Sequence, residues 1–413
     1  MAKKVNIIIG SAMTECVNRG CEALAYSLLY LLGSYFKKRG VEYSLTLTGS
    51  GLVDDGEHEL LLDGTIVRYS ANSNLVYPFP GFHKWFFFLK LFFKSGHQIA
   101  ARQRLLRETD FIFDIGGGDS FADIYGSKRF KGVNCIYELA RYYHKPYCIL
   151  PQTIGPFNDP DVRQEAAKTI SEAGLVMARD KQSYDCARQL APQQRNLFEY
   201  IDVAFFLPFS RRRFADEFIH VGLNVSALLW HGGYTKDNQF GLIVDYQKIV
   251  HSILDYFLSI PNVCVHLVPH VNGNFRDVEN DYGVSIDLRQ EYAHSRLIIS
   301  DFFLNPIEAK SYIAGLDFFM GSRMHSTIAA FSSNVPVVPM SYSRKFNGLF
   351  EDTLHYNYVA DMKESTPDAI INKIKLAFNC RDNLKSLERQ QMRTTVAEAG
   401  RRIEKDLCSF MGL

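Results

Sequence analysis

Charge imbalance is the first thing this 413-residue chain lacks: 46 Lys and Arg stand against 45 Asp and Glu, a formal net charge of +1. No whole-molecule field therefore gathers nucleic acid. Long apolar runs are missing too. No stretch of about 18 apolar residues occurs, so a spanning helix is not expected. The eight cysteines, at 16, 21, 135, 148, 186, 264, 380 and 408, include no Cys-x-x-Cys pair, and no His spacing completes a zinc site. Several stand in apolar runs, such as Tyr147-Cys148-Ile149-Leu150 and Val263-Cys264-Val265. Reduced, buried thiols acting as small hydrophobes in a cytoplasmic protein are expected. Met1-Ala2-Lys3-Lys4 leads straight into a strand-like run, so no signal peptide is expected. A phosphate loop is excluded by the missing Gly-Lys-Ser/Thr ending. A nicotinamide site is unsupported without Gly-x-Gly-x-x-Gly, a helix and a distant acidic residue. Neither a metal nor a resident cofactor is expected. Repeats and low-complexity tracts are absent.

What is present is ordinary core material, with 47% hydrophobic and 22% charged residues. A chain this long suggests two domains, because single cores stop growing at about 250–300 residues. Short β-branched runs alternate with helix-like segments, the signature of parallel sheets with crossover helices. Strands are expected at 5–9, 44–48, 65–69, 111–115, 147–150 and 175–177. Between them fall helices at 22–37, 136–144, 162–172 and 182–190. A polar, Pro-punctuated break over 207–213 reads as a linker. The alternation then restarts, with strands at 220–224, 263–268, 297–299, 316–320 and 336–340. Helices are expected at 246–258, 307–314, 326–331 and 368–377, and a long polar one at 383–410. The fold class is thus α/β, with two doubly wound Rossmann-like domains facing a cleft, GT-B-like, at 1–207 and 208–382. Residues 383–413 form a helix that would pack across the junction.

The segment Gly321-Ser322-Arg323-Met324-His325-Ser326-Thr327 follows a buried strand and opens a helix. A helix start beside a guanidinium suits a phosphate or carboxylate, and His325 is a proton donor or acceptor two residues away. Ser326 and Thr327 would cap amides at that start; the structural alternative is an Arg in an ion pair. Asp114-Ile115-Gly116-Gly117-Gly118-Asp119 offers backbone amides to an anion, at Gly117 and Gly118, and acidic groups to sugar hydroxyls. Gln152 and Thr153 follow the next strand and would hydrogen-bond a sugar. Arg179 ends the strand after that. With Arg323 it would clamp a small polyanion, one arginine per domain; the plainer reading pairs it with Asp180. Asn18 would cap the first long helix. His270, at a strand end, and Glu308, at a helix start, complete the set, although a carboxylate at a helix start also simply suits the dipole.

Together these segments resemble the polysaccharide pyruvyl transferase family. The resemblance rests on Asn18-x-Gly20-x-Glu22-Ala23-Leu24, Gly116 to Gly118, Gln152-Thr153-Ile154-Gly155-Pro156 and Ala178-Arg179-Asp180. It continues through Gly222-Leu223-Asn224-Val225-Ser226 and, most specifically, Ser322-Arg323-Met324-His325. Cys21 departs from the family's usual Gly-Asp-Glu. The resemblance implies a GT-B-like fold and phosphoenolpyruvate as donor, placed in the C-terminal domain, with a saccharide acceptor on the N-terminal side. It implies protonation of the donor's methylene carbon and closure of a cyclic ketal. In that chemistry Arg323 and Arg179 would hold the donor, His325 would be the acid and Asp119 the base. The alternatives at this point are a GT-B glycosyltransferase using a nucleotide-sugar donor and a non-catalytic polysaccharide-assembly protein.

One further segment, 77–108, is an aromatic insertion. In it Trp85, Phe88 and Phe92 interleave with Lys84, Lys90 and Lys94, and Arg102, Arg104 and Arg107 follow. Such a mixture suits an interfacial helix, and nearly equally a core or lid helix or a dimer contact; the lipid-carried acceptor that the resemblance implies favours the first. A peripheral position on the inner face of the cytoplasmic membrane, reached through 82–107 and close to a lipid-linked acceptor, is therefore expected.

Overall fold

The computed structural model describes residues 4–49, 54–73, 75, 96–273 and 277–413. The aromatic part of the insertion, including Trp85, Phe88 and Phe92, lies outside the described residues. Its basic continuation is the helix Gly96–Glu108, where Arg104 pairs with Glu108 at 2.7 Å. Among the described residues no helix is long and apolar enough to cross a membrane.

The chain divides into two compact units. The first comprises Met1–Glu15, Leu28–Asp202 and Arg401–Leu413; the second comprises Cys16–Ser27 and Val203–Gly400. The first unit holds an eight-stranded sheet among its described residues: β1 (Val5–Gly10), β2 (Tyr43–Thr48), β3 (Gly56–Leu62), β4 (Thr65–Ala71), β5 (Phe111–Asp114), β6 (Tyr147–Gln152), β7 (Leu175–Ala178) and β8 (Leu197–Glu199). Their spatial order is β3-β4-β2-β1-β5-β6-β7-β8, and only β3 and β4 pair antiparallel. That hairpin turns on Asp63 and Gly64, both at positive φ, the dipeptide that suits a two-residue turn. Helices cover both faces of a parallel sheet, so its strands read as unbroken apolar runs. β6 and β7 are buried throughout. Ile8, Ile112, Phe121, Phe130, Tyr137 and Ile149 form the heart of this core.

In the second unit six strands follow the order β11-β10-β9-β12-β13-β14, all paired parallel. They are β9 (Ile219–Asn224), β10 (Val263–Leu267), β11 (Leu297–Ile299), β12 (Phe318–Gly321), β13 (Val337–Ser341) and β14 (Ala360–Asp361). The expected linker is tied down: Arg212 N–H donates to Ser311 O at 3.0 Å, and Arg211 donates to the carbonyls of Ala314 and Ser333. The terminal helix runs as Arg381–Gln391, a π turn at Met392–Val396, and Ala397–Met411.

Candidate functional site

In a doubly wound sheet, ligands bind beyond the carboxyl ends of strands where the winding changes direction. In the second unit β9 lies between β10 and β12, so that point is bounded by Asn224 and Gly321. Asn224 is wholly buried and organises it. Its Oδ1 accepts from Arg323 N–H at 2.9 Å, and its Nδ2 donates to Val268 O at 2.9 Å. The helix Met324–Ser332 starts with Arg323 as its N-cap, two residues before the expected start at Ser326. This earlier start corrects the capping expectation for two residues. The Ser326 hydroxyl donates to Arg323 O at 2.7 Å and the Thr327 hydroxyl to Met324 O at 2.7 Å, so neither caps an amide. Ser322 is buried and accepts from Tyr246 Oη at 3.0 Å.

Arg323 is 8% exposed. Its Nη2 donates to Asp281 Oδ1 at 2.9 Å and its Nε to Oδ2 at 3.2 Å, while Nη1 reaches Glu279 Oε1 at a longer 3.4 Å. Asp281 is fully buried and also accepts the backbone N–H groups of Ala227 (2.9 Å) and Val271 (3.2 Å). A buried carboxylate held by a guanidinium and several amides is rigidly placed. The ion-pair alternative for Arg323 is thus the arrangement seen, with Asp281 as the close partner and Glu279 as the looser one.

The start of the first long helix, Arg19–Arg39, belongs to this unit up to Ser27. Asn18 caps it as expected, its Oδ1 accepting from Gly20 N–H at 2.9 Å. Asn18 also bridges to Val271, and Arg19 N–H donates to His270 O at 3.0 Å. Gly20 lies against the His325 imidazole so tightly that a Cβ there would stand 2.5 Å from Nδ1. Arg19 is buried. Its guanidinium pairs with Glu22 at 2.6 Å and donates to Cys16 O at 2.7 Å and Leu304 O at 2.6 Å. His270 is buried, and among the described residues neither ring nitrogen has a hydrogen-bond partner. Burial, then the charges of His325, Arg323 and Arg19, hold its pKa well below the ordinary imidazole range, so the ring is neutral. Arg323, His270 and His325 are therefore brought together, and Arg19 joins them. Glu308 is engaged locally: it accepts from Leu304 N–H at 2.8 Å, and Asn305 Oδ1 accepts from Glu308 N–H at 3.0 Å, a reciprocal helix cap.

In the first unit the winding changes direction between β1 and β5. There the turn Gly116–Gly118 runs at positive φ throughout. Gly116 is required, because a Cβ would collide with Gln152 Oε1. Gln152 is buried and donates to Asp114 O at 3.0 Å, and Thr153 N–H donates to Gly118 O at 2.9 Å. Both therefore support the turn from within. Asp114 accepts from Tyr137 Oη and Gly116 N–H, each at 3.0 Å, yet burial pushes its pKa up to about 6. Asp119 is half-buried and accepts from Tyr125 Oη at 3.0 Å. Arg179 is 1% exposed and pairs with Asp202 at 2.8 Å; Asp180 stands farther off at 3.9 Å.

Residues 18–344 match the family described as polysaccharide pyruvyl transferase. The chain belongs to this family. The matched stretch opens on the helix cap Asn18 and takes in Arg323 and His325. Among curated relatives, the amylovoran biosynthesis protein AmsJ of Erwinia amylovora is 22% identical over 326 residues, 74% of each chain. The fold resembles a UDP-GlcNAc 2-epimerase from Neisseria meningitidis, at TM-score 0.57 and 10% identity over 98% of this chain and 100% of that one. It also resembles a sucrose-phosphate synthase from Thermosynechococcus elongatus, at TM-score 0.57 and 11% identity over 99% of each chain. These likenesses establish the GT-B-like fold. The protein is a member of a transferase family of polysaccharide biosynthesis.

One expectation about side-chain chemistry is corrected in this family member, and one cluster that sequence spacing did not show is found. Sequence spacing gave no metal-type cluster, but β9 and β10 set His220 opposite Cys264 in register, and the donor atoms of His220, Cys264 and His266 lie within 4.8 Å of one another. The imidazoles satisfy each other: His220 Nδ1 is 2.8 Å from His266 Nε2, His220 Nε2 is 2.8 Å from Ala215 O, and His266 Nδ1 is 2.7 Å from Tyr312 Oη. The cysteines, expected to be buried, divide instead. Cys135, Cys148, Cys264 and Cys408 are buried, whereas Cys16, Cys21, Cys186 and Cys380 are only half-buried.

Proposed function

We propose that this protein transfers the enolpyruvyl unit of phosphoenolpyruvate to a saccharide and closes it into a cyclic pyruvate ketal, with the donor held in the second unit. The observation that carries this reading is the gathering of Arg19, Arg323, His270 and His325 beyond β9 and β12, with both nitrogens of the buried His270 unpartnered among the described residues. Two guanidinium groups and a helix start favour a small polyanion. Glu279 makes the longest contact to Arg323 and its side chain is 26% exposed, so a donor phosphate or carboxylate displaces it most readily. Asp281 keeps the guanidinium oriented meanwhile.

His325 gives a proton to the methylene carbon, which becomes a methyl group. The adjoining carbon, left oxocarbenium-like, takes one sugar hydroxyl. Its carbon–oxygen bond to phosphate then breaks, and a second hydroxyl closes the ring. One hydroxyl proton balances the proton given to carbon, and the other leaves with phosphate. We assign the base on the acceptor hydroxyl to Asp119. The acceptor is read as lipid-linked, met at the inner membrane face through 82–107. What supports that assignment is the aromatic and basic composition there. No step calls for a resident cofactor. Incubation with phosphoenolpyruvate and candidate lipid-linked saccharides, followed by mass spectrometry, should show the saccharide gaining one pyruvyl ketal. Transfer from a nucleotide sugar instead would reject the reading.

A further inference from the structure

His220, Cys264 and His266 lie outside the site already described, and their placement is specific. In β10, Cys264 and His266 are two residues apart and so project from one face of the sheet. His220 pairs with Cys264 in register on the neighbouring parallel strand, which puts its ring on that face too. His220 stands near the amino end of β9 and Asn224 closes the carboxyl end, so roughly 13 Å of strand separates this cluster from the donor site.

The hydrogen bonds fix where the protons stand. Ala215 O can only accept, so His220 Nε2, 2.8 Å away, carries a proton. With both rings uncharged, the His220 Nδ1 lone pair accepts from His266 Nε2 at 2.8 Å, and His266 Nδ1 accepts from Tyr312 Oη at 2.7 Å. Burial above all pushes the His266 pKa down to about 3, which keeps that ring in the neutral form that ligates metals. Two imidazole nitrogens thus converge on one point, each ring held from behind by a carbonyl or a phenol. Outer partners of that kind orient metal-ligating imidazoles. The Cys264 sulfur is the third donor, and the three donor atoms lie within 4.8 Å of one another.

Two cations face the cluster. Arg212 lies over the rings of Phe214 and Tyr312, at 5.6 and 5.0 Å, and its charge is offset by its pairing with Asp301. Arg296 is bonded to the carbonyls of Leu258, Ile260 and Val263, and it favours a Cys264 thiolate against the opposing effect of burial. His220 and Cys264 each keep 8% exposure, the path by which an ion enters.

We propose that His220 Nδ1, His266 Nε2 and Cys264 Sγ form a structural zinc site that clips β9 to β10. Zinc accepts nitrogen and sulfur donors in this combination, with water in the fourth position. The Cys264 thiol releases its proton to solvent as the zinc–sulfur bond forms, since a coordinating thiol is deprotonated outright. His266 moves its proton from Nε2 to Nδ1, which then donates to Tyr312 Oη. The two nitrogens part from 2.8 Å to about 3.4 Å, the spacing that tetrahedral zinc–nitrogen bonds of about 2.05 Å require. The inference stands whichever donor the enzyme uses.

The test is titration of the full chain, reduced and treated with chelator, with cobalt(II) as a spectroscopic stand-in for zinc. One ion per chain should bind, with a thiolate-to-cobalt charge-transfer band in the near ultraviolet and tetrahedral bands in the visible. Equimolar zinc should erase both. Cys264→Ser should lose the charge-transfer band, and His220→Asn should weaken binding by at least about 10-fold with its circular dichroism unchanged. The proposal is overturned if the wild type shows no charge-transfer band, if the band survives in Cys264→Ser, or if His220→Asn binds cobalt as the wild type does.

Discussion

Arg179 and Arg323 both follow a buried parallel strand, both are buried, and both lie in a segment that resembles the same family. Their surroundings separate them. Arg179 faces one close carboxylate, Asp202, itself 0% exposed, and the neighbouring Asp180 caps the following helix through Ser183 N–H at 2.7 Å. Arg323 has a rigid partner in Asp281, a looser one in Glu279, and Arg19, His270 and His325 close by. The first pairing is closed, and an anion entering it would meet a carboxylate already matched to its cation. The second has one loosely held carboxylate, Glu279 at 3.4 Å, which an anion can displace from Arg323, with the Arg19 guanidinium, itself paired with Glu22, close by. A strand-end arginine is thus open to an anion only where one of its carboxylate partners is loosely held.

This contrast breaks first on stability. Arg179→Met leaves Asp202 buried without its cation and should cost about 3–5 kcal/mol, read from the urea midpoint. Adding Asp202→Leu should recover most of the loss. A small loss in the single variant would mean that the Arg179 pair is not structural. For Arg323 the informative change is to Lys, because Ala would strand Asp281. Arg323→Lys keeps a charge for Asp281 but loses the guanidinium fork. Donor kcat/KM should fall by about 30-fold to several thousand-fold, corresponding to about 2–5 kcal/mol, while the urea midpoint moves little. Unchanged kcat/KM would reduce Arg323 to a second Arg179.

A third test compares two of the buried carboxylates that receive backbone amides, Asp281 and Asp114. Asp281 has a guanidinium; Asp114 has only hydrogen bonds, and burial pushes its pKa up to about 6. A raised carboxyl pKa means the folded state holds its proton more tightly. Stability from this group is full below the unfolded pKa and is lost as pH climbs through about 6. The loss amounts to about 3 kcal/mol. Asp114→Asn should therefore flatten the stability profile between about pH 4 and pH 7. An unchanged slope would show that Asp114 is not its source. Smallest is Glu308→Ala, which should cost about 1 kcal/mol as a lost cap and leave donor KM unmoved. A raised donor KM would return Glu308 to the site.

Strand periodicity made most of the fold legible, because parallel strands covered on both faces show as unbroken apolar runs. It missed β3, whose partner β4 was read. The alternation over 56–62 is mostly exposed, and the Asp63-Gly64 turn was the available signal. The helix Asp281–Tyr292 was also missed, although Asn280 caps it through Gly283 N–H at 3.2 Å. At the site, Arg323, His325 and Asn18 were legible because they punctuate element ends. Asn224 and Arg19 were not assigned as site residues, since their roles depend on strand ends brought together from distant parts of the chain. Gln152 and Arg179 were read as ligand groups because a polar residue after a strand looks the same whether it faces a ligand or, as these two do, the interior.

The most direct test of the central claim is to run the reaction in heavy water with phosphoenolpyruvate and a saccharide acceptor, and to weigh the product's pyruvyl methyl group. Protonation of the methylene carbon by a solvent-exchangeable acid predicts deuterium in that methyl, with His325→Ala slowing its appearance. A ketal whose methyl carries no solvent deuterium would contradict the mechanism, and with it the role given to the His325 cluster.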